Sequence, residues 1–112
     1  MDEIEKEFHD KAIIRGDEYL FQAYYALRVI EKCFEKSKRI YGIDAFILTE
    51  NTMQVVDYID YTTIGYKDFD ESKYFSKYHV RKNSDLGHWV EAEQFVRDRM
   101  NKGWVFEIVY ET

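Results

Sequence analysis

The chain has 112 residues, one cysteine and no proline, and 22 acidic residues against 16 basic ones give it a net charge of −6. A chain of this length suits one domain that buries roughly two-thirds of its unfolded surface around a single core. The acidic balance argues against non-specific binding to nucleic acid, the lone Cys33 rules out an intramolecular disulfide, and no apolar run approaches the roughly 18 residues of a membrane span.

Residues 2–15 place Ile4, Phe8 and Ala12 four apart, with Asp2 and Glu5 as a capping box and Gly16 as a stop. This spacing predicts a short amphipathic helix, an N-terminal arm over residues 1–16 of the single domain 1–112. The run Ala12-Ile13-Ile14 also reads as a brief strand. Asp17 offers an N-cap for the longest predicted helix, 18–38, whose stripe is Leu20, Ala23, Tyr24, Leu27, Ile30 and Phe34, widened by Tyr19, Ala26, Val29 and Cys33. Residues 40–61 read as two strands joined by a tight polar turn. Both faces of the first arm are largely apolar, which marks a central strand, while the second runs out into alternating carboxylates and tyrosines.

Residues 62–87 show little periodicity and predict a loop with one short helix near 71–78. A helix over 88–101 follows, with Trp89, Ala92, Val96 and Met100 at spacings of three and four and Gly103 as its end. Residues 104–111 alternate Trp104, Phe106, Ile108 and Tyr110 against Val105, Glu107, Val109 and Glu111, which is a strand. The expected fold is α+β: a small antiparallel three-stranded sheet, hairpin 40–61 plus strand 104–111, packed on helices 18–38 and 88–101.

Enzyme chemistry finds little footing. His9, His79 and His88 stand in no motif, Gly-x-Ser-x-Gly is missing, and Cys33 on a packed helix face reads as an inert core thiol. The five glycines stand singly, so no phosphate cradle is spelled out. Asp68-x-Asp70-Glu71 resembles a fragment of a calcium loop without its glycine and closing glutamate, and His79 and His88 have no cysteine partners for zinc. The expectation is no metal, no cofactor and no catalysis.

The strongest functional signal is the segment 57–71. Its acids Asp57, Asp60, Asp68, Asp70 and Glu71 against the single Lys67 leave a charge of −4, with Tyr58, Tyr61, Tyr66 and Phe69 among the rings between them. Carboxylates steer a cationic partner, and tyrosines add contact area at low entropy cost, so the candidate contact residues are Asp57, Tyr58, Asp60, Tyr61, Tyr66, Asp68, Asp70 and Glu71. The same residues also serve as a solvated, charged loop. Asp44, alone in an apolar strand, is a secondary candidate, although an Asp held by backbone donors or a basic side chain at the sheet edge is the plainer reading. Gly42 beside it marks a bulge or a close helix approach. The basic, aromatic segment 73–82 gives the alternative of a small nucleic-acid-binding or regulatory adaptor, and an uncovered sheet edge would allow self-association.

The order of a long helix ending at Arg39, then Ile40-Tyr41-Gly42-Ile43-Asp44-Ala45-Phe46, a hairpin, a Trp-bearing helix from His88 and the strand Val105-Phe106-Glu107-Ile108-Val109 is similar to a family of small bacterial immunity proteins from polymorphic-toxin systems, immunity protein family forty. The resemblance spans roughly residues 18–111. Its most specific element is Gly42-x-Asp44, preceded here by Tyr41 where the family carries a second glycine. It implies a protein that neutralises one cognate toxin in the producing cell's cytoplasm by direct binding. The acidic start Asp2-Glu3-Ile4-Glu5, unlike any secretory or mitochondrial signal, and the single cysteine agree with a cytoplasmic location.

Overall fold

The structure is a computed structural model that describes residues 2–63 and 87–112. The short helix expected near 71–78 and the loop around it lie outside these residues. Among the described residues no helix is long and apolar enough to cross a membrane.

The elements, in chain order, are α1 (Glu3–Phe8), β1 (Ile13–Arg15), β2 (Glu18–Gln22), α2 (Ala23–Glu35), β3 (Ile40–Leu48), β4 (Met53–Asp60), α3 (Trp89–Arg97) and β5 (Val105–Tyr110), with single 3₁₀ turns at His9–Lys11, Tyr61–Thr63 and Met100–Lys102. The architecture is α+β, as expected, but the sheet has five strands in the order β1-β2-β5-β3-β4, every pair antiparallel.

The two strands beyond the expected three come from residues assigned to helices. The N-terminal helix does begin on an Asp2 cap, whose Oδ1 accepts the Glu5 amide at 2.9 Å, and it buries Ile4 and Phe8, but it stops at Phe8. Arg15 then faces Glu18 across a two-residue loop, with Gly16 at φ 61° and Asp17 not in the left-handed region. That is the pattern of a type II′ hairpin turn, in which a glycine takes the first central position. A glycine with positive φ also ends helices, so the local signal at Gly16-Asp17 fits a helix stop followed by a cap equally well. The strand reading of Ala12-Ile13-Ile14 is the one the fold adopts, at Ile13–Arg15.

Helix α2 is therefore shorter than the expected 18–38, and its buried face is Ala26, Val29, Ile30 and Cys33, while Tyr24 stands 61 % exposed. It ends in a Schellman arrangement: Ser37 takes φ 55°, its amide reaches the Phe34 carbonyl at 3.1 Å, and the Lys38 amide reaches that of Cys33 at 2.8 Å. Helix α3 buries Trp89, Ala92, Phe95 and Val96. Its start is pinned from a distance by Trp89 Nε1, which donates to the Lys38 carbonyl at 2.9 Å. Gly87 is required here because the Trp89 ring occupies the space a Cβ would take, with ring carbons 2.3 Å away.

All three helices contribute to one apolar cluster, which meets the sheet at Phe21, Ile43, Ala45, Phe106 and Ile108. Strand β5 shows the expected alternation, with Phe106 and Ile108 turned to this core and Glu107 and Val109 to the opposite side. On that opposite side a small separate cluster, Leu20, Phe46 and Val105, takes no residue from a described helix. The sheet thus has one helix-covered face and one that no described helix covers.

Two bulges shape β3 and β4. Opposite β5 the register jumps from Ile40 to Gly42, so Tyr41 is extra; opposite β3 it jumps from Asp57 to Val55, so Val56 is extra. Gly42 therefore marks a bulge, as one sequence reading had it, and the close approach comes from a strand rather than a helix: an added Cβ would lie 2.7 Å from the Ile59 carbonyl oxygen. Because the obstacle is backbone within a paired strand, it cannot swing aside. Gly42→Ala is expected to cost about 1–3 kcal/mol, read as a lower urea midpoint at unchanged slope. A stability equal to that of the parent chain would mean the strands separate freely there.

Candidate functional site

On the face that no described helix covers, cross-strand pairing lines up two short rows of side chains. Glu107, Asp44 and Tyr58 form one, from β5, β3 and β4; Val109, Gly42 and Asp60 form the next. Residues directly opposite in an antiparallel pair share a face and stand about 5 Å apart at Cβ. The second row has a glycine at its centre, so it is low in the middle, and an open cleft of about 370 Å³ forms there, bounded by Tyr41, Asp44, Tyr58, Asp60 and Val109. Tyr58 is 67 % exposed, and Tyr41, Asp60 and Val109 are exposed as well.

The electrostatics of this cleft are set by carboxyls close to one another. Burial and the neighbouring acids Glu18 and Asp44 push Glu107 up to about 7, and burial with the Asp60 charge also raises Asp44, whose side chain hydrogen-bonds that of Glu107. Such a bond needs a proton between the two groups, because two carboxylates have no donor. Glu18 adds an enclosed oxygen, Oε2, that accepts no hydrogen bond. Asp60 is the opposite case: the Thr62 hydroxyl at 2.6 Å and amide at 2.9 Å donate to it and hold its carboxyl below the usual range. The cleft therefore carries one firmly ionised acid, Asp60, at its rim and, in Asp44, one member of a proton-sharing pair whose other member, Glu107, stands opposite it on β5 beside the cleft.

The residues expected to form a contact surface divide between three places. Tyr58 and Asp60 lie on the cleft. Asp57 lies on the helix side, where Arg99 Nε donates to it at 2.7 Å and lowers its pKa, the Arg99 guanidinium resting 3.8 Å over the Phe95 ring. Tyr61 belongs to the core: it is 5 % exposed and stacks on His88, with ring centroids 4.9 Å apart and planes 9° from parallel. Burial of that ring leaves it no area to offer a partner. Tyr66, Asp68, Asp70 and Glu71 lie outside the described residues, as do the basic segment 73–82 and His79.

Asp44 is half-buried on the cleft floor, and its partner corrects the sequence reading, which gave it backbone donors or a basic side chain; the partner is the acid Glu107. Glu107, Glu18, Tyr41 and Val109 were not singled out. The alternation of β5 already turned Glu107 away from the core, but its meeting with Asp44 depends on the β3–β5 register, which joins positions 63 residues apart in sequence.

Other reactive side chains are occupied by the core. Cys33 is fully buried, and burial pushes its thiol up to about 12, so no thiolate forms near neutrality. His88, in the left-handed region at φ 60°, binds Glu91 through Nδ1 at 2.5 Å beneath Tyr61. No group of three or more His, Cys, Asp and Glu among the described residues is arranged to hold a metal ion.

Comparison with protein-family models, with curated proteins and with solved structures finds no match for this chain. The functional reading therefore rests on the cleft and on the sequence resemblance.

Proposed function

We propose that this chain is a non-catalytic immunity protein that binds a basic protein toxin and blocks it by direct contact through the uncovered face of the sheet. One observation carries the reading: the cleft sets exposed tyrosines, Tyr41 and Tyr58, beside the acids Asp44 and Asp60 on a bulged two-strand platform. Rigid rings that give area without much entropy loss, around charges that attract cations, are what a high-affinity protein interface needs. A nuclease is the toxin class whose charge fits best, since a protein that grips phosphates must present a basic surface. Binding of this kind uses no cofactor, and the producing cell's cytoplasm is where such an inhibitor works.

The test uses the protein encoded beside this chain's gene. Co-expression of its C-terminal domain with this chain should rescue growth, and the triple variant Asp44→Lys, Tyr58→Ala, Asp60→Lys should abolish rescue while leaving the circular dichroism spectrum in place. Association measured by stopped flow should slow at least about tenfold, and its salt dependence should flatten, because steering by rim charges acts on the on-rate. Undiminished rescue by the triple variant would remove the cleft from the account. Light scattering that shows the free chain as a dimer, broken by the same triple substitution, would assign the face to self-association instead.

A further inference from the structure

Asp44 and Glu107 stand directly opposite each other on β3 and β5 with their side chains hydrogen-bonded, and the groups that act on them supply no cation to take the place of the shared proton. From β2, the charge of Glu18 acts on Glu107; from β4, Tyr58 stands opposite Asp44, with Asp60 two pairs further along; from β1, Arg15 lies opposite Glu18, its Nη2 3.4 Å from the Thr49 carbonyl. No described helix packs on this face. The titratable groups whose charge acts on the pair are thus acids, with Tyr58 directly opposite Asp44, and Arg15 lies beyond Glu18.

We infer that docking of a guanidinium or ammonium group into this cleft expels the proton held between Asp44 and Glu107, so that the grip on a cationic partner strengthens as the solution becomes more alkaline. This rests on the binding role given to the cleft above. Two carboxyls in hydrogen-bond contact cannot both ionise cheaply, and a cation placed against them removes that repulsion. Binding then releases up to one proton, and by linkage the association constant rises by as much as about tenfold per pH unit while the pair still holds its proton. The rise levels off above about pH 7, once the free protein has lost the proton. In more acidic solution the cleft keeps the charge of Asp60, but the Asp44–Glu107 pair beside it carries one charge instead of two.

Two measurements decide the matter. In the free protein, side-chain carboxyl ¹³C shifts recorded between pH 4 and 9 should show Asp44 and Glu107 titrating together, with one step near neutrality. Two independent steps in the ordinary carboxylate range would overturn the inference whatever the cleft binds. The second measurement is calorimetric titration with hexa-arginine acetylated at its N-terminus and amidated at its C-terminus, so that its charge does not change over this range. Its affinity for the wild-type chain should rise by up to about tenfold between pH 6 and 8. In Glu107→Gln, which donates to Asp44 without sharing a titrating proton, the slope should vanish; a slope equal to that of the wild-type chain would overturn the linkage. A flat wild-type profile with binding still lost in the Asp44→Lys, Asp60→Lys variant would sink the proton linkage and keep the docking role. Binding indifferent to those two acids would sink both.

Discussion

Phe106→Ala is expected to destabilise the chain by about 3–5 kcal/mol, a large share of the roughly 5–15 kcal/mol that holds a domain of this kind together. Phe106 is fully buried on β5, the strand between β2 and β3, and it is opposite Phe21 on one side and Ala45 on the other. Its ring meets Phe95 of α3 edge-on at 6.4 Å, so one side chain joins three strands to a helix. The alanine would leave a cavity between elements that other contacts hold in place, and such sites collapse poorly, which puts the cost at the upper end for phenylalanine. Urea unfolding should show a midpoint lowered by more than 1 M at unchanged slope, taking a slope of about 1–3 kcal/mol per molar. A loss under about 1 kcal/mol would mean that β5 is not the centre of the sheet.

Glu107→Gln should make the protein more stable, and only where the solution is neutral or alkaline. Folding raises this carboxyl from the ordinary 4.5 to about 7. A carboxyl that binds its proton more tightly when folded adds nothing below 4.5, where both states are protonated. Between 4.5 and 7 the folded state alone holds the proton, so stability falls as pH rises and stays low above 7. The full gap would be worth about 3 kcal/mol, but the group is only partly buried and solvent screens it, leaving roughly 1–2 kcal/mol. The neutral amide removes this penalty. At pH 8 the variant should melt about 4–10 °C above the parent, and at pH 4 the two should nearly coincide. Equal melting temperatures at both pH values would show that Glu107 is an ordinary solvated acid.

Both predictions turn on β5, and its alternation of Phe106 and Ile108 against Glu107 and Val109 is visible in eight consecutive letters. The same holds for the hairpin from Ile40 to Asp60 and for the buried spacing of Trp89, Ala92 and Val96. Each of these signals is local, a period of two or of 3.6 that a few neighbouring residues can carry. Residues 13–22 failed that test. Leu20, Ala23 and Leu27 keep helical spacing across the boundary at Gln22, and Gly16-Asp17 suits a helix end as well as a hairpin. What tips the balance is pairing of Phe21 with Phe106, a contact across 85 residues that no local window contains.

The functional site divides along the same line. Tyr58 and Asp60 were found because exposed acids and rings alternate at the end of an edge strand. Tyr61 continues that alternation by one letter and is nevertheless core, since the chain turns into a 3₁₀ segment there and lays the ring on His88. Asp44 stood out as a polar residue in an apolar strand, yet its sequence neighbourhood says nothing of Glu107.

Taken alone, the amino-acid order determined the α+β class, the hairpin, the last helix and strand, the acidic balance and the two outward residues Tyr58 and Asp60, because hydrophobic period and charge are written in adjacent letters. Only the tertiary structure decided that the sheet has five strands, that Tyr61 is inside, and that Asp44 meets Glu107 beside a glycine-floored cleft. Those outcomes depend on strand register between distant segments, and register is set by the packing of the whole core.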